Sequence, residues 1–202
     1  MARSHSLAMC CWMRAARVVK SGAPCRLAMP DRPRCRNDSE PLFLALCPTM
    51  GVFFDYFRAA TDDAAADVFD WPAGPTCPPP GTEPKDSAEL KNIDPHVMMG
   101  TLEALLTGNR YEDITARPRH AATLRFSDDG GQGVLTVTDE FTSALAAAND
   151  DQIRALAHPW SQTEEFWGLA DPAELTELLQ DLRDLAVRAT QHQHHLYCWT
   201  SL

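Results

Sequence analysis

The chain has 202 residues, of which 45% are hydrophobic, enough for one domain with a core of its own. Residues 1–49 carry eight Lys or Arg and three Asp or Glu, a net charge of +5, whereas residues 50–202 carry ten and twenty-five, a net charge of −15. An acidic domain repels phosphate groups, which argues against nucleic acid and anionic membrane surfaces as partners. No apolar run approaches the roughly 18 residues of a membrane span.

Residues 1–49 are predicted to form a disordered basic extension, because scattered prolines and arginines leave too little apolar surface to bury. We hypothesise that translation of the functional protein starts at Met50 and that the upstream part is an over-extended reading of the gene. An Arg-rich, acid-poor start also fits an organellar transit peptide.

The seven cysteines are an odd number without a CxxC pair, which argues against a disulfide framework and a zinc finger. We therefore expect reduced thiols and a cytoplasmic location. The sequence has no P-loop, GxGxxG, HExxH or GxSxG motif, and no cofactor is expected.

Residues 50–202 are predicted to be one acidic globular domain. Its first half begins with an aromatic strand over 52–58 and a short helix over 62–70. A proline-rich loop over 71–85 is followed by a helix that Asp94 and Pro95 open and Gly108 closes. The expected inner stripe of that helix consists of Val97, Met98, Leu102, Leu105 and Leu106.

The second half begins with an irregular stretch over 111–120 and a hairpin of 122–126 with 134–137. Helices are predicted over 139–148 and 150–157, the latter stopped by His158-Pro159. Ser161 with Glu164 matches a capping box over Phe166 and Trp167, and the tryptophans are expected in the core.

One long amphipathic helix is predicted from Asp171 to Thr190, with leucines at helical spacing, and a terminal strand over 195–202. The element order indicates an α+β fold. The two terminal strands and the central hairpin would build a small sheet, covered by helices that include the long C-terminal one.

Four segments resemble a group of short actinobacterial proteins of uncharacterised function: 50–57 (MGVFFDYF), 93–95 (IDP), 162–167 (QTEEFW) and 196–199 (LYCW). More distantly, residues 50–202 are similar to YfbM-like domains, which are small α+β proteins without an established activity. The resemblance therefore implies a fold but no catalytic residue.

Two groups of residues are candidates for chemistry. His192, His194, His195 and Cys198 are metal-ligand types, although adjacent histidines point in different directions and a helix end favours histidines anyway. His158, Glu164 and Glu165 are candidate acid–base groups, although adjacent glutamates do not form a facing pair and fit a helix start equally well.

These observations favour a non-enzymatic binding module, which would pair with a basic protein as immunity-type proteins do. The alternative is a small hydrolase or metal-dependent enzyme that uses His158 and Glu164 or the C-terminal histidines. Convergence of these groups in one pocket would favour the enzyme, and their dispersal would favour the binding module. The sequence leaves the oligomeric state open.

Overall fold

A computed structural model describes residues 52–90 and 92–202. The expectations for residues 1–49 and for a start at Met50 lie outside these residues.

Five strands form one antiparallel sheet in the order β2-β1-β5-β4-β3. The strands are β1 (Phe53–Ala59), β2 (Ser87–Glu89), β3 (Thr123–Phe126), β4 (Gln132–Thr136) and β5 (His195–Ser201). The last strand pairs with β1 over seven residue pairs and with β4 over five, so it lies at the centre of the sheet. The predicted pairing of the terminal strands is confirmed, and the α+β class with it.

Six α-helices accompany the sheet in the described residues: α1 (Asp62–Ala66), α2 (Val97–Thr107), α3 (Tyr111–Thr115), α4 (Asp139–Ala147), α5 (Asp150–Ser161) and α6 (Pro172–Gln191). Two 3₁₀ turns, Asp67–Asp70 and Glu164–Phe166, follow α1 and α5. The stretch predicted to be irregular therefore contains α3.

The long helix α6 forms as its sequence predicts. Asp171 caps it by accepting a hydrogen bond from the Ala173 amide at 2.8 Å, and Pro172 occupies the first position, where no amide donor is needed. Its apolar stripe is buried against the sheet and the neighbouring helices: Leu175, Leu179, Leu182, Leu185, Ala186 and Ala189.

The predicted end of α5 is wrong, because the helix continues through Pro159 to Ser161. A proline in the last turn removes one backbone hydrogen bond and leaves the preceding turns intact. The predicted capping box at Ser161 is also wrong, since the Ser161 hydroxyl donates back to the His158 carbonyl at 2.7 Å. The capping box of α5 consists of Asn149 and Gln152.

Each face of the sheet is covered. The larger core joins Tyr56, Leu196 and Cys198 to α2, α4, α5 and α6. On the other face, Tyr197 and Trp199 pack with residues of α1 and the first 3₁₀ turn. Alternation along β5 thus sends successive side chains into two cores.

A buried ion pair crosses the helical layer. The Glu103 carboxylate on α2 is almost completely enclosed, pairs with Arg117 and accepts a hydrogen bond from Thr138 Oγ1 at 2.6 Å. Burial raises the pKa of Glu103, and its two partners offset part of that effect.

The two cysteines in the described residues differ in their bonding state. Cys198 is a free, buried thiol on β5, as the strand prediction implies. Cys77 is disulfide-bonded, so the expectation that every thiol is reduced is wrong for this residue.

Candidate functional site

The residues proposed for acid–base chemistry do not converge. His158 is exposed in the last turn of α5, whereas Glu164 and Glu165 begin the second 3₁₀ turn. Glu164 is exposed, and Glu165 is half-buried and accepts a hydrogen bond from Thr101 Oγ1 at 3.3 Å. Among the described residues, no hydrogen bond or ion pair joins His158 to either glutamate.

The candidate metal ligands occupy three different surroundings. The rings of His192 and His194 lie 5.8 Å apart at the end of α6, where His194 Nδ1 and Arg58 Nη1 are 3.0 Å apart. Partial burial and then the Arg58 charge lower the pKa of His194. His195 contacts a carboxylate elsewhere, and Cys198 faces the larger core. Within 52–90 and 92–202, no three His, Cys, Asp or Glu side chains are placed to hold a metal ion.

An ion-pair network lies beside His194. Arg188 donates to Asp86 from Nε at 2.7 Å and from Nη2 at 2.9 Å, and Arg58 Nε donates to the same carboxylate at 2.8 Å. The hydrogen bonds from Arg188 and then Arg58 lower the pKa of Asp86. This network ties α6 and β1 to the residue before β2.

Another polar cluster lies at the end of the sheet where β1 and β4 finish. Asp62 and Asp139 are the first residues of α1 and α4, and each follows a capping threonine. Arg119 Nη1 donates to Asp62 at 2.8 Å, while its Nε is 3.6 Å from Asp139 Oδ1. His195 Nδ1 lies 2.6 Å from Asp139 Oδ1, and the Tyr197 hydroxyl donates to Asp62 at 2.9 Å.

The hydrogen bonds of this sheet-end cluster affect the protonation of its members. An Nδ1–H that donates to Asp139 leaves Nε2 as the basic atom of His195, whose side chain is 40% exposed. The hydrogen bond from Arg119 lowers the pKa of Asp62. Burial and then the bond to Asp62 raise the pKa of Tyr197 to about 12, so its hydroxyl stays protonated.

Of the five residues of the sheet-end cluster, the sequence analysis singled out His195 and missed the other four: Asp62, Arg119, Asp139 and Tyr197. A signal was present, because both carboxylates follow a strand and a threonine, in the triplets ATD and VTD. These triplets directly follow β1 and β4, which flank β5 on either side.

A third feature is the turn that joins α5 to α6, residues 164–170, which we call the tip. Phe166 anchors it by packing edge-on against a buried tryptophan ring at 5.1 Å between centroids. The Trp167 amide donates to the Glu164 carbonyl at 3.0 Å, and the Leu169 amide donates to the Phe166 carbonyl at 2.9 Å. Trp167 itself is 72% exposed and has a φ of 55°, a left-handed conformation that is costly for a bulky residue.

The prediction that Trp167 lies in the core is therefore wrong, because the anchored turn points its side chain outward. Val97 and Leu105, predicted for the inner stripe of α2, are also exposed. Both are four positions from Thr101 and share one face of the helix with it. The hydrogen bond from Thr101 to Glu165 brings the tip beside this face.

We group four exposed apolar side chains, on α2 and on the tip beside it, under the name Trp167 surface: Val97, Leu105, Trp167 and Leu169. Elsewhere in the described part of the chain, the large exposed apolar side chains are Phe126 and Leu202. An apolar surface of this kind marks a contact site more often than scattered single residues do.

The tip and the start of α6 are acidic in sequence. Residues 164–177 contain five Asp or Glu and no Lys or Arg, a net charge of −5. Several of these carboxylates are exposed and form no ion pair with any residue that the structure describes: Glu164, Asp171, Glu174 and Glu177. The negative charge next to the Trp167 surface is thus left without a counter-charge.

No protein-family model, curated protein or solved structure matches this chain. None of the helices in the described residues has the length and apolar character needed to cross a bilayer.

Proposed function

We propose that the acidic domain is a non-enzymatic binding module that captures a basic protein partner through the Trp167 surface. The observation that carries this proposal is the exposed indole of Trp167, held at a positive φ on an anchored turn.

Neither property of Trp167 helps the fold. An exposed ring contributes little burial, and a left-handed backbone at a bulky residue costs about 1–2 kcal/mol. Strain of this kind persists where the surroundings enforce it, and it is concentrated at functional sites. Tryptophan is also among the residue types that contribute most to binding energy when a partner covers them.

The charge supports a basic partner. Opposite charges accelerate encounter and disfavour acidic competitors, whereas the apolar side chains supply affinity after contact. An immunity-type pairing with a basic protein fits a surface in which charge speeds encounter and apolar side chains supply affinity. The relationship to YfbM-like domains and the cytoplasmic location stay predictions.

Affinity capture with the full chain tests the proposal. We expect the native protein to retain a basic protein from a lysate of its source cells at about 0.1 M salt and to lose it near 1 M, where charges are screened beyond about 3 Å. Trp167→Ala should reduce the captured amount about thirty-fold, the equivalent of about 2 kcal/mol.

Phe126→Ala is the matched control, because Phe126 is an aromatic residue 50% exposed on β3, away from the Trp167 surface. Its capture should equal that of the native chain. Equal capture by Trp167→Ala would contradict the proposal.

One observation favours a second candidate function, a small hydrolase. The 2.6 Å contact between His195 Nδ1 and Asp139 is the arrangement that lets an imidazole Nε2 accept a proton from water. Water deprotonated there would attack a carbonyl carbon, and the proton on Nε2 would pass to the leaving group.

Hydrolysis of p-nitrophenyl acetate across pH tests this candidate. For a catalytic site, His195→Asn and Asp139→Asn should each remove most of the rate, whereas His158→Asn should leave it unchanged. Equal losses for His158→Asn and His195→Asn would instead indicate nonspecific catalysis by exposed imidazoles.

A further inference from the structure

Within the part of the chain that the structure describes, the Glu165 carboxylate on the tip has no counter-charge. Its Oε1 accepts one long hydrogen bond, 3.3 Å from Thr101 Oγ1, and its Oε2 is screened from solvent without any donor. Among the described residues, no Lys, Arg or His forms an ion pair with it. A carboxylate in such a position is poorly compensated and gains from any cationic donor that reaches it.

Its surroundings add further negative charge. Burial, and then the charges of Asp94 and Glu165, raise the pKa of Tyr111. Asp94 already accepts hydrogen bonds from three backbone amides at the start of α2, at 2.8–3.1 Å. Glu165, with one long hydrogen bond, is thus the less satisfied of these two carboxylates.

Trp167 follows Glu165 by two residues on the same turn. Its ring is 72% exposed, so a flat π-face is open to a ligand. A cation placed over a tryptophan ring is attracted by the ring quadrupole, and an arginine guanidinium can stack there while its N–H groups pair with a carboxylate.

We propose that the tip binds one arginine side chain of the partner, with the guanidinium stacked on Trp167 and hydrogen-bonded to Glu165. This inference rests on the proposed function and specifies which chemical group the surface recognises. The oxygen offered to the guanidinium is Oε1, whose one hydrogen bond, from Thr101 Oγ1, is long at 3.3 Å. Arginine suits the site better than lysine, because its planar, weakly hydrated group can stack and pair at once.

Nuclear magnetic resonance on the ¹⁵N-labelled full chain provides the test. The probes are a short Gly-Ser peptide that contains arginines and the same peptide with citrulline, a neutral isostere, at each arginine. We expect the arginine peptide to shift the indole signal of Trp167, assigned by its loss in Trp167→Phe. The citrulline peptide should bind at least about ten-fold more weakly.

Glu165→Gln should weaken binding of the arginine peptide at least about five-fold and leave the citrulline peptide unaffected. Glu174→Gln is the matched control, because Glu174 is an exposed carboxylate on the first turn of α6 and should change affinity less than about two-fold. Far-UV circular dichroism of each variant checks that it is folded.

Three outcomes would overturn the arginine site: an unmoved Trp167 signal, equal shifts with both peptides, or equal losses for Glu165→Gln and Glu174→Gln. If any of these is found while Trp167→Ala still abolishes capture of the partner, the Trp167 surface stands and only its arginine specificity is wrong. If Trp167→Ala leaves capture intact, the proposed function itself is wrong.

Discussion

Replacing Trp167 by glycine should remove binding and leave the fold almost as stable as before. A tryptophan side chain buries up to about 250 Å² when enclosed. At 72% exposure only about 70 Å² of Trp167 is covered, which corresponds to about 1.8 kcal/mol at about 25 cal/mol per Å². Glycine relieves about 1–2 kcal/mol of left-handed strain at the φ of 55°.

Glycine also loosens the unfolded chain, which costs about 0.5–1 kcal/mol. The net loss in the free energy of unfolding should therefore lie between about 0.3 and 1.8 kcal/mol. Urea denaturation followed by far-UV circular dichroism measures it.

Trp160→Ala is the contrasting variant, because Trp160 is fully buried and its loss should cost about 3–5 kcal/mol. A loss above about 2 kcal/mol for Trp167→Gly would show that the ring supports the fold. The argument that Trp167 is kept for binding would then fail.

Further predictions concern stability and are checked by urea denaturation. Arg117→Met should cost about 3 kcal/mol, since it leaves the buried Glu103 charge unpaired, and adding Glu103→Met should recover at least half of that loss. Hydrogen bonds from two arginines lower the pKa of Asp86. The ionised Asp86 therefore adds to the free energy of unfolding above the ordinary carboxyl pKa, and this contribution is lost as pH falls below about 4. Asp86→Asn should make the free energy of unfolding fall less steeply with acid. Gly74→Ala should cost about 2–3 kcal/mol, because the residue has a φ of +82° and its new Cβ would lie 2.9 Å from a core tryptophan ring. Gly81→Ala is the control, because Gly81 has a similar φ of +86° but its new Cβ would meet no atom within 4 Å. It should cost only about 1 kcal/mol.

The elements best predicted from sequence are those whose burial repeats with a regular period. The leucine stripe of α6 fills one face of a helix, and the short, aromatic run of β1 is typical of a strand covered on both sides. Capping by Asp171 and closure by Gly108, at a φ of 71°, follow from equally local chemistry.

The orientation of single apolar residues was harder to predict. Val97 and Leu105 fit the apolar stripe of α2 but are exposed, because the neighbours that decide which part of a stripe is covered come from α4 and α5. Trp167 is exposed because a left-handed residue reverses the turn, and no pattern in the sequence predicts this conformation for tryptophan.

The sheet-end cluster could not be derived because its members come from distant segments. The hydrogen bond between Asp62 and Tyr197 joins residues 135 positions apart, and Arg119 comes from a loop without periodicity. Only the strand order, with β5 between β1 and β4, brings the two Thr-Asp pairs to the same end of the sheet.

That strand order also determines how the domain assembles. The last described strand lies at the centre of the sheet, so β1 with β2 and β4 with β3 remain separate ribbons until β5 joins them. Two-stranded ribbons are marginal in water, and both cores include side chains of β5. Deleting residues 195–202 should therefore abolish the cooperative unfolding transition while helical circular dichroism persists in part. Deleting Leu202 alone, a residue 74% exposed, should leave the transition in place. A cooperative transition with an unchanged midpoint after the longer deletion would mean that the two ribbons are stable without the central strand.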